Sequence, residues 1–368
     1  MTLSRIGIVA LAVTALALVA APASADHHTS GMKAGKAGLR SAGPLAFGPQ
    51  GILFAGDSNG AAIFALDTGD TKPGSSGSVS VKGVNEKVAA MLGTSADQIL
   101  IEDMAVNPIS RNAYLSVSRG RGPDAMAVIL KIDAAGKISE FSLDNVKHSK
   151  ATLPNAPAAD AKDRRGGSLR VQSITDLAYV DGKVLVAGLS NEEFASTLRS
   201  IPFPFSAVDG GTGVEIFHGA HGRFETNAPV RTFVPYEIQK EPHLLAAYTC
   251  TPLVKFPLSD LKPGSKVMGT TIAELGNRNR PLDMIVYAKG GTDYILMNNS
   301  SRGVMKMSTK DIHKYEGIKE KTDITGLPYE TIAELKGVQQ LDRLDDNNAL
   351  ILVQDESGAM DLKTIALP

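Results

Sequence analysis

The stretch RPLDMIVYAKGGTDYILMN (280–298) contains an apolar run entered by an acid, a Gly-Gly turn and a second apolar run. Set against ITDLAYVDGKVLVAG (174–188), it aligns strand for strand, with Asp283 over Asp176. The same unit recurs as IEDMAVNPISRNAYLSVS (101–118), GPLAFGPQGILFAGDS (43–58), RTFVPYEIQKEPHLLAAYT (231–249) and QQLDRLDDNNALILVQDE (339–356). Alternation followed by a turn and a second short apolar run reads as a β-hairpin, so the chain carries six related hairpins.

A third strand follows each hairpin: AIFALD (62–67), VILKID (128–133), STLRSI (196–201), PLVKFP (252–257), VMKMS (304–308) and DLKTIAL (361–367). The intervals Thr232 to Lys255, Asp283 to Lys306 and Gln340 to Lys363 are equal in length, which fixes the register independently. Fourth strands are read in KISEFSL (137–143), in VEIFHGAHGRFE (214–225) and in TIAEL, which occurs at 271–275 and again at 331–335. Four antiparallel strands per repeat predict an all-β fold, a β-propeller of six blades. A seventh blade would have to hide in 71–100 or 144–172; VNEKVAAML (84–92) has helical spacing instead, and 144–172 reads as an Ala-, Pro- and Lys-rich loop. The last repeat ends after its third strand, so residues near Lys36 to Ser41 are expected to supply the missing outer strand and close the ring.

The segment 1–25 has the charge, apolar core and Ala23-Ser24-Ala25 end of a signal peptide. Cleavage before Asp26 predicts a periplasmic or secreted protein, with a tail at 26–42 and one propeller domain at 43–368. Losing Arg5 takes the net charge from −1 to −2, which speaks against nucleic acid as a partner. No later segment is long enough to insert in a membrane, and a monomer is expected. With one cysteine, Cys250, there is no internal disulfide, and the absence of Trp argues against sugar-stacking faces.

Inner strands of a propeller begin at one end of its central channel. The aligned starts are Pro44, Asp103, Asp176, Thr232, Asp283 and Gln340. Three acids around one axis either bind a hard cation, Ca²⁺ or Mg²⁺, through Asp103, Asp176 and Asp283, or cap backbone N–H groups of the neighbouring loops. Loops between second and third strands open on the same end and offer Asp57, Arg119, Asn191, Asn299, Arg302 and Asp355 as ligand-binding residues. The long inserts at 71–100 and 144–172 cross that end and mark it as the binding face. A mature terminus Asp26-His27-His28 has the donor spacing of a copper site, or is a polar tail. His218 and His221 are expected on opposite faces of an outer strand, a surface pair. Cys250, with no sequence-local base, reads as a small semi-buried side chain.

AGPLAFGPQGILFAGDSNGAAIFALD (42–67) resembles the first blade of SMP-30/gluconolactonase/lactonase propellers and, more loosely, NHL-repeat propellers. That resemblance implies a metal-dependent hydrolase, with Asp283 among the ligands. The family's opening Glu is absent before Gly43-Pro44, and Met284 stands where a Gly follows the family's Asp. No catalytic residue is assigned. The function expected is an exported, non-catalytic propeller that binds a protein or small-molecule ligand on its insert-bearing face. The alternative is a divalent-metal hydrolase of lactones or esters.

Overall fold

The second strands have continuous apolar stretches, ILFA in Ile52–Asp57 and YILM in Thr292–Asn299, because they are covered on both faces. In a computed structural model that describes residues 28–74 and 77–368, they are inner members of six sheets, antiparallel except where Lys266–Met268 joins Thr212–His218 in parallel. The chain is a six-bladed β-propeller. The innermost strands are Leu45–Phe47, Ile99–Val106, Asp176–Val180, Val230–Ile238, Pro281–Lys289 and Val338–Arg343, and they number blades 1 to 6 along the chain. In blades 2, 4, 5 and 6 the inner strand carries a register shift near its start, and the residue just past it is Asp103, Thr232, Asp283 or Gln340. The bulge twists each inner strand into the channel at equivalent places.

The blades are not arranged around the ring in chain order. Six apolar clusters lie between neighbours, and they join blade 1 to 3, 3 to 4, 4 to 5, 5 to 6, 6 to 2 and 2 to 1. Blade 2 therefore sits between blades 6 and 1. After the third strand of blade 1 the chain steps backwards around the ring and builds blade 2. It then returns through Val146–Thr152, which pairs with Ala62–Asp67 as the fourth strand of blade 1. The segment 144–172 is thus partly a propeller strand and not the loop expected of it.

Closure also differs from the expectation. The outer strand of blade 6 is Ser80–Val81, from the first insert, paired with Leu362 and Lys363. Lys36 to Ser41 do not supply it; the nearby Lys33–Gly35 adds a fifth strand to blade 1 beside Val146–Thr152. The helix Val84–Met91 follows the closing strand and buries Val84, Val88 and Ala89 against blades 2 and 6, as its spacing predicts. Substituting Val81→Asp places a charge in that cluster and is expected to cost about 3 kcal/mol or more of unfolding free energy. Ala34→Pro, on the outermost strand of blade 1, is expected to cost under about 1 kcal/mol. Urea unfolding of the two variants checks which segment closes the ring.

Among the described residues no helix is long and apolar enough to cross a membrane. Residues 1–25, read as a signal peptide, lie outside the described residues, as do Asp26 and His27 of the copper motif; His28 is described.

Candidate functional site

The repeat-equivalent positions Pro44, Asp103, Asp176, Thr232, Asp283 and Gln340 converge, as aligned, on one end of the channel, around a cavity of about 600 Å³. Asp103, Asp176 and Asp283 also line a cavity of about 650 Å³ that opens at the other end, so they form the throat between the two.

Every carboxylate oxygen of the three acids accepts a backbone N–H. In each, Oδ1 takes the N–H of the next residue, Met104, Leu177 or Met284, at 2.7–2.8 Å. Oδ2 takes an N–H from the adjacent blade: Leu45 at 2.6 Å, Phe233 at 2.7 Å and Leu341 at 2.9 Å. A fourth acid makes the same latch one step down the channel, because Asp342 accepts Arg343 N–H and Val106 N–H, both at 2.7 Å. Four of the six interblade seams, 2–1, 3–4, 5–6 and 6–2, are tied this way. Burial raises all four acids, and backbone hydrogen bonds oppose it; Asp176 is pushed to about 7 and Asp342 to about 6. For Asp103 and Asp283 the charges of neighbouring channel acids add to the burial.

The mouth above this throat carries charges of both signs, three arginines with Glu86, Asp97 and Glu102. Arg121, Arg231 and Arg280 line the 600 Å³ cavity and also a side cavity of about 320 Å³ that continues from it. Arg121 is held by the carbonyls of Asp97 and Ile99, at 2.9 and 3.3 Å. Arg231 is held by Thr249 Oγ1 and Gln172 Oε1, at 3.0 and 3.3 Å. Among the described residues none of the three guanidinium groups has a carboxylate oxygen within 4.0 Å. Burial, and then the like charge of Arg280, lower Arg231 to about 10. Two acids feel these charges: burial raises Glu102, while the hydrogen bond from Ser118 and the charges of Arg121 and Arg280 pull the other way, and Asp97 is lowered by hydrogen bonds from Ser95 and Gln98 with the charge of Arg121 adding to them. Three guanidinium groups that share a cavity with Glu86, Asp97 and Glu102 have the planar donors that can hold an oxyanion. Asn85, Glu86 and Asp97 of the first insert and Val171 of the second also line these cavities, so both inserts border this mouth.

None of the six loop residues Asp57, Arg119, Asn191, Asn299, Arg302 and Asp355 lines either mouth cavity. They sit farther out along the blades and serve their own turns. Asp57 accepts N–H groups of Arg40, Ser41 and Gly60, Asp355 caps Ser357 and Ala359, and Asn299 pairs with Asn279. Arg119 reaches Met126, Arg302 the carbonyl of Asn277, and Asn191 binds Asn155 through its backbone. The arginines were in view in the sequence: Arg231 and Arg280 each open an aligned repeat.

A second expectation is corrected at the rim of blades 3 and 4. The outer strand Thr212–His218 ends at the first histidine, and the following turn folds His221 back over it, with ring centres 3.8 Å apart. His218 is 2 % exposed, so the two are not a surface pair on opposite faces. The fold also brings both rings to Cys250, whose neighbourhood in sequence offers no base.

No protein family and no curated protein matches the sequence. Several solved structures share its outline. A PQQ-bound aldose sugar dehydrogenase from Streptomyces coelicolor is 12 % identical, over 91 % of this chain and 96 % of that one, with a TM-score of 0.38. A putative oxidoreductase (glucose dehydrogenase) from Thermus thermophilus is 12 % identical over 91 % and 100 %, with a TM-score of 0.36. An engineered GH43 glycoside hydrolase is 10 % identical over 79 % of this chain and 52 % of its own, with a TM-score of 0.38. At such scores no argument about activity passes from them to this chain.

Proposed function

We propose that this protein is a non-catalytic binding propeller that takes a small anionic ligand, bearing carboxylate or phosphate groups, at its insert-bearing mouth. The observation that carries this reading is the convergence of Arg121, Arg231 and Arg280 on one cavity, none of them, among the described residues, with a carboxylate oxygen within 4.0 Å. Gathering like charges beside a partly buried wall is unfavourable, and an anion that bridges them removes the cost. The volume suits a small molecule, and planar guanidinium groups bind oxyanions through two hydrogen bonds at a time. The lactone- or ester-hydrolase alternative would place Ca²⁺ or Mg²⁺ on Asp103, Asp176 and Asp283. Against it stands the use of all six of their oxygens on backbone N–H groups. The proposal includes export, for which N-terminal sequencing of the periplasmic fraction should begin at Asp26.

Thermal unfolding against inorganic phosphate, citrate and neutral sugars tests the mouth. Ligand at 100 times its Kd stabilises the fold by about 2.7 kcal/mol, so a polyanion is expected to raise the midpoint while the sugars do not. Arg280→Gln is expected to weaken that anion about 10- to 100-fold, the loss of a charge-assisted hydrogen-bond pair. Stabilisation by none of the anions, or stabilisation that Arg280→Gln leaves intact, would overturn the reading.

A further inference from the structure

His218 and His221 of blade 3 and Cys250 of blade 4 offer one ring nitrogen each and a sulfur within 4.8 Å of one another. Glu225 holds both imidazoles. Its Oε2 accepts from His218 Nδ1 at 2.8 Å and its Oε1 from His221 Nδ1 at 2.7 Å. A carboxylate only accepts, so each ring carries a proton on Nδ1, and in the neutral ring Nε2 is then a bare lone pair.

The buried ring is the telling one. His218 Nε2 has no hydrogen-bond partner, although the residue is 2 % exposed. An unpaired buried acceptor is unfavourable, and here it belongs to a ring already oriented by a carboxylate. Cys250 is fixed from the other blade: it and Thr251 occupy consecutive left-handed conformations, at φ 63° and 59°, and Cys250 N–H is bonded to the Asn279 carbonyl at 2.8 Å. Such conformations are unfavourable for side chains other than Gly, Asn or Asp.

We infer that His218 Nε2, His221 Nε2 and Cys250 Sγ form a binding site for a thiophilic divalent cation of the Zn²⁺ class, with Glu225 positioning both imidazoles. Carboxylate–imidazole–metal relays have this pattern, the carboxylate fixing the tautomer and the ring. Two nitrogens and one thiolate suit tetrahedral Zn²⁺, at distances of about 2.0–2.1 Å to nitrogen and 2.3 Å to sulfur. Three protein ligands leave a fourth position, and the His221 side chain, 38 % exposed, borders solvent, so water completes the shell. On binding, the thiol proton passes to solvent. None of the three ligands lines the channel cavities, and the site stands whether or not the arginine mouth binds an anion.

The test is a Co²⁺ titration of the mature protein followed by absorption, with Zn²⁺ as competitor. The expected result is one equivalent of Co²⁺ giving a sulfur-to-cobalt charge-transfer band and tetrahedral d–d bands, both bleached by Zn²⁺. Cys250→Ser, with an unchanged circular dichroism spectrum, should abolish the charge-transfer band. His218→Gln should abolish the tetrahedral bands. Glu225→Gln should keep the spectrum while weakening affinity about 10- to 100-fold. The charge-transfer band separates this site from any metal held by the Asp26-His27-His28 terminus, which has no sulfur. Absence of the band in the wild type, or a band that survives His218→Gln at full affinity, would overturn the proposal.

Discussion

Asp283→Ala is expected to lower the unfolding free energy by about 2–4 kcal/mol at pH 5, read from urea unfolding. Its carboxylate ties the N–H of Met284 to that of Leu341 across the seam between blades 5 and 6, and truncation leaves two partly buried donors without a partner, at about 1–3 kcal/mol each. Channel water replaces part of what is lost, which keeps the effect below the sum. The low pH matters, because the repulsion from Asp103, Asp176 and Asp342 that the mutation relieves is weakest there. Asp283→Asn keeps one acceptor oxygen and should fall between wild type and Ala. Ca²⁺ or Mg²⁺ should leave all three midpoints unchanged. A Ca²⁺-specific rise lost in Asp283→Ala would instead put a cation in the throat.

The second large effect is the pH dependence of the wild type. All four channel acids have folded-state pKa values above those of an unfolded chain, so in the window between them the native state holds more protons than the unfolded one. Stability must then fall as pH rises. The contribution is fully present below about pH 4, the ordinary carboxylate value, and is lost on rising through about 6 for Asp342 and about 7 for Asp176. Raising a folded-state pKa by one corresponds to about 1.4 kcal/mol. Because the carboxyls face channel water on one side, the net loss between pH 4 and pH 7 is expected to be on the order of a few kcal/mol. Asp283→Ala should flatten the profile by removing one of the mutually repelling charges. A wild type whose stability rises steadily from pH 4 to pH 7 would mean that the channel acids are ionised at little cost.

Much of the blade structure was legible because its physics is local. Second strands sandwiched between sheets must be apolar at nearly every position, and short turns hold the interval to the third strand constant in three of the blades. The order of the blades was not legible. Ser80–Val81 is a two-residue strand, and Val146–Thr152 carries Lys147, His148 and Lys150 because it lies near the outer edge, where alternation with polar residues looks like loop. Both pair with strands that no local pattern names.

The same division runs through the site. Asp103, Asp176 and Asp283 were found from repeat register, and the capping role is the one their hydrogen bonds fill. Asp342 escaped because it stands two residues past the equivalent Gln340, on the same face of its strand but one step farther along the channel. Arg231 and Arg280 stand at the heads of aligned repeats, but nothing local in the sequence shows that they converge across the axis. The rim cluster was misread for a specific reason: alternation was carried through His218 to His221, whereas the strand stops at the first of them.

Whether the arginine mouth is an anion site is decided by isothermal titration calorimetry of citrate and of inorganic phosphate, at low ionic strength, into the wild type and into the Arg231→Gln/Arg280→Gln double variant. The expected outcome is one saturable site for at least one of these anions in the wild type, weakened by added salt and absent in the folded double variant. No saturable heat with either anion, or the same isotherm in the double variant, would refute it.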